Sequence, residues 1–198
     1  MRQDIQFLRG FAVLAVLFYH ADILPVSGGY LGVDTFFVIS GYLITSIILR
    51  ELDNGTFSFT RFYIRRAKRL LPAAYCTLIF TTLLGYAFLT SGQWSDYIGQ
   101  LIGTITFTAN IVLPFQTGYF ENAAEGKPLL HTWSLSLEEQ YYLITPLLLY
   151  LIVPKWRGWV FVAAAIISLV VCVVFVSLPF TYWRIPTIDS ESMAFFLL

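Results

Sequence analysis

The fold is indicated first by residues 30–49, which read YLGVDTFFVISGYLITSIIL and contain one charged residue, Asp34. A helix crosses the hydrocarbon core of a bilayer with about 20 mostly apolar residues, so this stretch predicts a membrane span. The rest of the chain has the same character. Of its 198 residues, 58% are hydrophobic and 12% are charged, whereas soluble domains contain about 25% charged residues. We therefore predict an integral membrane protein.

Four further apolar runs surround this stretch, and together they predict about five spans. A shorter run, 101–115, is rich in threonine, contains Asn110 and ends near Pro114. Runs of this length are often re-entrant or buried, so we expect one short helix that packs against the bundle or enters the membrane part-way. The predicted fold class is all-α, a polytopic transmembrane helix bundle. The predicted spans are 7–24, 30–49, 70–89, 135–153 and 159–178.

Basic residues decide the predicted orientation. Segment 50–69 holds six basic residues against two acidic ones, and the positive-inside rule predicts that it is a cytoplasmic basic loop. If 101–115 does not span, the basic turn with Lys155 and Arg157 also lies inside, whereas a sixth span would move it outside. Charge therefore favours five spans and a cytoplasmic N-terminus.

The balance of 12 basic and 12 acidic residues argues against a nucleic-acid partner.

Ionisable residues at membrane depth are candidates for function, because burying each costs roughly 2.5–3.5 kcal/mol on insertion scales. Arg9 and His20 are 11 residues apart, which places them on one helix face about 16 Å apart. We expect His20, Asp34, Glu138 and Glu139 in the outer half of the bundle. Structural roles remain open for each: an inner anchor for Arg9, an interfacial position for His20, and favourable interactions with helix dipoles for the carboxylates.

Two kinds of chemistry fit these residues. A histidine near carboxylates suits general acid–base catalysis, because its pKa is close to 7 and a carboxylate fixes its tautomer. Arg65, Arg66 and Arg69 suit a phosphate-rich ligand, since arginine binds phosphate in a bidentate manner. The same cluster could instead be a topology signal or contact anionic lipids. The two cysteines lie in apolar runs, and no metal site is expected.

Four blocks of sequence, in this order, together resemble the acyltransferase 3 family of integral membrane O-acyltransferases. The blocks are RGFAVLAVLFYH at 9–20, GGYLGVDTFFVISGYLI at 28–44, FYIRRAKRLLPA at 62–73 and HTWSLSLEEQYY at 131–142. The resemblance implies a domain of about ten spans, of which this chain holds the first half. The chain ends within an apolar run, which also indicates a fragment. The subgroup it most resembles carries a further C-terminal extracytoplasmic domain.

The resemblance implies acyl transfer in the bacterial plasma membrane from acyl-CoA, usually acetyl-CoA, to a hydroxyl of an extracytoplasmic glycan such as O-antigen, exopolysaccharide or peptidoglycan. Arg66 and Arg69 match the arginine pair proposed to engage the donor. Arg9 and His20 match the essential pair of the first span, and Glu138 matches the glutamate of the fourth block. The expected partners are the acyl-CoA donor, the glycan or lipid-linked glycan, and membrane lipids.

Two alternatives remain open at the level of sequence. Intramembrane histidine, carboxylates and arginine also mark proton-coupled transporters and flippases, and a non-catalytic membrane scaffold is a third class. A transporter has no particular need of the basic cluster at 65–69 followed by Pro72. That cluster therefore favours the enzyme.

Overall fold

The computed structural model describes residues 3–21, 28–116 and 127–177. Helices dominate this part of the chain, and no strand occurs within it, which confirms the predicted all-α class. The helices are α1 (Gln3–His20), α2 (Leu31–Asp53), α3 (Phe59–Phe88), α4 (Ser91–Ile105), α5 (Ala109–Phe115), α6 (Thr132–Leu151) and α7 (Arg157–Ser177), with a 3-10 turn at Pro154–Trp156 before α7.

The segment 50–69, predicted as a loop, is helical apart from residues 54–58. The side chain of Ser58 accepts a hydrogen bond from the backbone N–H of Arg61 and so caps α3. The basic cluster is consequently part of α3, in the same continuous helix as the predicted third span. Charge density marks the end of an apolar run but not the end of a helix, and the cytoplasmic position of this segment stays a prediction.

The predicted short helix at 101–115 is two helices. α4 begins earlier, at Ser91, where Thr90 and Gln93 form a capping box. It ends at Ile105, and α5 begins at Ala109. Phe107 lies in the break with φ of 54°, a left-handed conformation that is uncommon for a residue other than glycine.

Within the residues that the structure describes, three helices are long and apolar enough to cross a membrane: Leu31–Asp53, Phe59–Phe88 and Pro154–Val174. α1 and α6 coincide with the other two predicted spans and have 18 and 20 residues. The number of spans and the orientation stay predictions. Residues 22–24 at the end of the first predicted span, and 178 at the end of the last, lie outside the described residues.

The chain divides into two compact units, residues 1–57 with 141–149 and residues 58–140 with 150–198. In the first unit, α1 packs closely on α2 at two glycines. A Cβ atom at Gly32 would overlap the carbonyl oxygen of Ala12, and one at Gly29 would lie 2.6 Å from that of Ala15. Small residues of this kind let two membrane helices approach through their backbones.

Replacing Gly32 with alanine is expected to destabilise the first unit by about 1–3 kcal/mol, because the added methyl meets backbone that cannot move away without separating the helices. Thermal unfolding in detergent would show a lowered Tm. Gly10→Ala is the matched control. Gly10 also lies in α1, but nothing lies within 4 Å of a Cβ there, so the change should gain about 0.5–1 kcal/mol of helix propensity. Equal Tm values for the two variants would contradict the close approach.

The second unit has a small apolar core and a polar one. Buried Leu78, Tyr97 and Leu129 pack together, and the Tyr97 hydroxyl lies 2.7 Å from the hydroxyl of Thr82. Gln100 is fully buried, and its side-chain oxygen accepts a hydrogen bond of 3.2 Å from the backbone N–H of Leu129. These contacts hold the residues just before α6 against α3 and α4.

Candidate active site

His20 is the last residue of α1, and its side chain is exposed. Its Nδ1 lies 2.9 Å from the backbone carbonyl oxygen of Val16. Because a carbonyl oxygen only accepts hydrogen bonds, Nδ1 carries the proton and Nε2 keeps a lone pair in the neutral ring. That tautomer can take a proton from a hydroxyl group. The backbone carbonyl of Val16 thus fixes the tautomer of His20, which a carboxylate was expected to fix.

Arg9 lies eleven residues earlier in the same uninterrupted helix, so the expected rise of about 16 Å between the two residues holds. The guanidinium carbon of Arg9 lies 4.9 Å from the ring centroid of Phe36 in α2. Such cation–π contacts contribute about 0.5–2 kcal/mol. Arg9 is therefore held against α2, with half of its side chain buried.

Asp34 lies in the first turn of α2 and is exposed. An acidic residue there interacts favourably with the helix dipole. Among the described residues, no hydrogen bond joins Asp34 to His20. Its proposed role in orienting His20 consequently has no contact to support it.

Sequence reasoning missed Ser40. It lies one turn after Phe36 on the same face of α2, and it is 3% exposed. Its hydroxyl is a buried polar atom without a hydrogen-bond partner within the described part of the chain. No sequence pattern marks a serine in an apolar helix as buried in this way.

Arg65, Arg66 and Arg69 lie on α3. Residues three and four apart are neighbours on a helix surface, so Arg69 is adjacent to both of the others. Arg66 is half-buried, and its guanidinium carbon lies 5.7 Å from the ring centroid of Phe62, which is 1% exposed. Arg65 and Arg69 are exposed. Three cations thus line one stretch of helix, with one of them stacked on a buried aromatic ring.

Glu139 lies about two turns into α6, and its side chain is half-buried. Arg66 and Arg69 act electrostatically on its carboxyl group, but burial and the neighbouring Glu138 act on it more strongly and in the opposite direction. The depth of the two glutamates relative to the basic cluster stays a prediction.

The side of α6 that faces α4 and α5 is polar. The Thr132 hydroxyl lies 2.8 Å from that of Thr104, and the Ser136 hydroxyl accepts a hydrogen bond of 3.3 Å from the backbone N–H of Ala109. Gln140 continues the stripe one turn further. The spacing of four residues between these polar side chains is a sequence signal for a polar helix face.

Lys127 precedes α6 and is 6% exposed. Its Nζ donates a hydrogen bond of 2.7 Å to the carbonyl oxygen of Gln116. Burial lowers the pKa of the Lys127 ammonium, and the nearby Asp96 carboxylate partly offsets this. The lysine thus ties the residues just before α6 to Gln116, which directly follows α5.

The described residues contain no group of three or more histidine, cysteine or acidic side chains placed to hold a metal ion. Both cysteines are free: Cys76 is exposed and Cys172 is buried.

The family model described as an acyltransferase domain, Acyl_transf_3, matches residues 2–198, which is nearly the whole chain. The chain belongs to the acyltransferase 3 family. This confirms the resemblance seen in the four sequence blocks. No solved structure matches the chain.

Curated relatives cover most of this chain. YrhL of Bacillus subtilis, whose name gives peptidoglycan O-acetyltransferase as an inferred activity, is 39% identical over 83% of this chain and 26% of its own length. A protein of Staphylococcus aureus strain COL, named as an inferred O-acetyltransferase, is 42% identical over 82% of the chain and 28% of its own length. The peptidoglycan O-acetyltransferase OatA of Listeria monocytogenes is 38% identical over 77% of this chain and 25% of its own length. The chain thus spans about a quarter of the length of these relatives.

Proposed function

We propose that the protein transfers an acyl group, most simply acetyl, from acyl-CoA on the cytoplasmic side to a hydroxyl of a glycan outside the bacterial plasma membrane. The observation that carries this proposal is the family match over residues 2–198. Two relatives bear names that specify peptidoglycan, so peptidoglycan is proposed as the acceptor ahead of O-antigen or exopolysaccharide.

His20 is proposed as the general base. Nε2 takes the proton of the sugar hydroxyl as its oxygen attacks the thioester carbonyl, and the carbon–sulfur bond then breaks. The proton on the imidazolium passes to the departing thiolate, which restores the neutral ring and releases free CoA. The hydrogen bond from Nδ1 to Val16 supports this assignment, because it leaves Nε2 unprotonated at the start.

Arg65, Arg66 and Arg69 are proposed to bind the phosphate groups of the donor from the cytoplasmic side. Their shared stretch of α3 supports this, since guanidinium groups at neighbouring positions can each pair with a phosphate. Arg9 is proposed to line the route between donor and base. Asp34 or Glu138 is proposed to orient His20.

Mass spectrometry of the cell-wall glycans, with and without the gene, tests the proposed function. Deletion should remove O-acetyl groups from the glycan, and the intact gene should restore them. A gene encoding His20→Ala should fail to restore them at equal protein level. An unchanged acetyl content, together with gene-dependent export or uptake of a glycan, would contradict acyl transfer and favour the transporter or flippase.

A further inference from the structure

Ser40 carries a buried hydroxyl that makes no hydrogen bond. The residue is 3% exposed, and its Oγ has no partner within the described part of the chain. A hydroxyl in a helix is commonly satisfied by the carbonyl oxygen four residues earlier. Thr35 in the same helix donates to Leu31 in this way at 2.9 Å, but Ser40 does not. An unsatisfied buried hydroxyl costs free energy, so a hydroxyl kept in this state indicates a partner that arrives from outside.

Arg9 lies beside the same stretch of α2. Its guanidinium carbon is 4.9 Å from the ring centroid of Phe36, and Ser40 follows Phe36 by one turn on the same helix face. Arg9 is half-buried, and it forms neither a hydrogen bond nor an ion pair with the residues that the structure describes. A cation and a hydroxyl, both with unused hydrogen-bonding capacity, therefore lie about one helical turn apart along α2.

α1 and α2 are closely packed on only one side of this pair. Ala12 meets Gly32, where a Cβ atom would overlap backbone, and Arg9 meets Phe36 further along. The two helices are therefore antiparallel, and Ser40 is level with the first turns of α1. Most of the first six side chains of α1 are exposed. The seam between α1 and α2 is thus tightest towards His20 and looser towards the opposite end, from which a ligand can enter.

The depth of Ser40 limits the kind of ligand. α2 is long and apolar enough to cross a membrane, and Ser40 is about 14 Å from its first residue and about 20 Å from its last. The hydrocarbon core is about 30 Å thick, so Ser40 is near its middle, too deep for a lipid phosphate. The pantetheine arm of acyl-CoA fits this position, because it is slender and uncharged and carries amide groups. A guanidinium donates to an amide oxygen, and a hydroxyl accepts from an amide N–H.

We propose that Ser40 binds an amide group of the pantetheine arm of the acyl donor, in the seam between α1 and α2 and beside Arg9. This inference rests on the proposed function, in which the donor is acyl-CoA and the arginines of α3 bind its phosphates. It adds a subsite for the uncharged part of the donor. The unmet hydrogen bond of Ser40 is a cost of the unliganded protein that donor binding removes.

Donor kinetics and stability of the full-length encoded protein test this role. Ser40→Ala removes only the hydroxyl, so we expect the KM for acetyl-CoA to rise about three- to tenfold. The Tm without ligand should stay equal or rise, because an unsatisfied polar group has been removed. Thr35→Ala is the matched control in the same helix: its hydroxyl is already satisfied, and the KM should not change. An unchanged KM in Ser40→Ala, or a lowered Tm that indicates a structural hydrogen bond, would overturn the proposal.

S-Acetylpantetheine separates the two parts of the proposed donor site, because it has the arm and the thioester but no phosphate. Ser40→Ala should weaken competitive inhibition by this compound by the same three- to tenfold factor. Arg66→Ala should raise the KM for acetyl-CoA and leave that inhibition unchanged. If Ser40→Ala affects acetyl-CoA but not S-acetylpantetheine, the subsite is wrongly assigned and the proposal fails.

Binding without turnover distinguishes failure of this inference from failure of the proposed function. Acetyl-CoA and S-acetylpantetheine should each raise the Tm of the unaltered protein in detergent, and Ser40→Ala should at least halve the rise. Equal rises in the two proteins would remove Ser40 from the donor site and leave acyl transfer standing. If neither compound raises the Tm of the unaltered protein, and deletion of the gene leaves glycan acetylation unchanged, the proposed function fails with the inference.

An anionic lipid is the alternative occupant of the seam, since its phosphate could pair with Arg9. Phosphatidylglycerol added to the detergent-solubilised protein should therefore change the Tm of the unaltered protein and of Ser40→Ala equally. A rise confined to the unaltered protein, with none from S-acetylpantetheine, would assign the seam to lipid and overturn the proposal.

Discussion

Replacing His20 with alanine is expected to reduce O-acetyl transfer by about 100-fold or more, the usual contribution of a positioned general base. The alanine cannot take the hydroxyl proton, and no other described group in α1 can replace Nε2. Transfer of labelled acetyl from acetyl-CoA to glycan, measured in membranes with equal amounts of protein, checks this. His20→Gln should be as inactive, because an amide has no basic nitrogen at neutral pH.

The control for this variant is Leu17→Ala, which shortens an exposed side chain of the same helix and should retain activity. Wild-type transfer by His20→Ala would remove His20 from the reaction.

Replacing Arg66 or Arg69 with alanine is expected to raise the KM for acetyl-CoA by about 10- to 100-fold, because each loses a charge-assisted hydrogen bond worth about 1.5–3 kcal/mol. Arg66→Lys should recover only part of the affinity, since an ammonium group cannot bind phosphate in a bidentate manner or stack on Phe62 in the same way. Initial rates at varied acetyl-CoA concentration give the KM directly.

Arg61 provides the matched control for the arginines. It is an exposed arginine in the first turn of α3 and lies one turn before Arg65. Arg61→Ala should leave the KM for acetyl-CoA unchanged, which separates a specific donor site from general attraction of an anion by a basic helix. Equal effects of Arg61→Ala and Arg66→Ala would count against the donor site, as would loss of the Arg66 effect in moderate salt.

Much of the fold follows from local sequence. Runs of apolar residues predicted α2, α6 and α7 to within a few residues, since a helix in lipid must satisfy its backbone internally and cover its surface with apolar side chains. The start of α3 and the break at Phe107 were not predictable in this way. α3 continues through a charged segment because nothing there breaks a helix, and the break is stabilised by Gln140, 33 residues later.

The candidate site likewise contains some features that follow from local sequence and others that depend on tertiary packing. The pairing of Arg9 and His20 on one helix face needed only helical periodicity, and the tautomer of His20 depends on a carbonyl four residues earlier. The hydrogen bonds of Thr132, Ser136 and Gln140 to α4 and α5 depend on packing between residues about 30 positions apart in the chain, which local sequence does not specify.

The sequence by itself thus determined that the chain forms apolar helices and that it belongs to this acyltransferase family, and it identified which few ionisable residues are candidates for chemistry. These properties depend on composition, on helical spacing and on short blocks of residues, all of which are local. The tertiary structure alone decided which polar side chains of α6 contact α4 and α5, and that Gln140 binds the carbonyl oxygen of Phe107 at the break between those helices. Those outcomes depend on hydrogen bonds between residues far apart in the chain, and only packing brings such residues together.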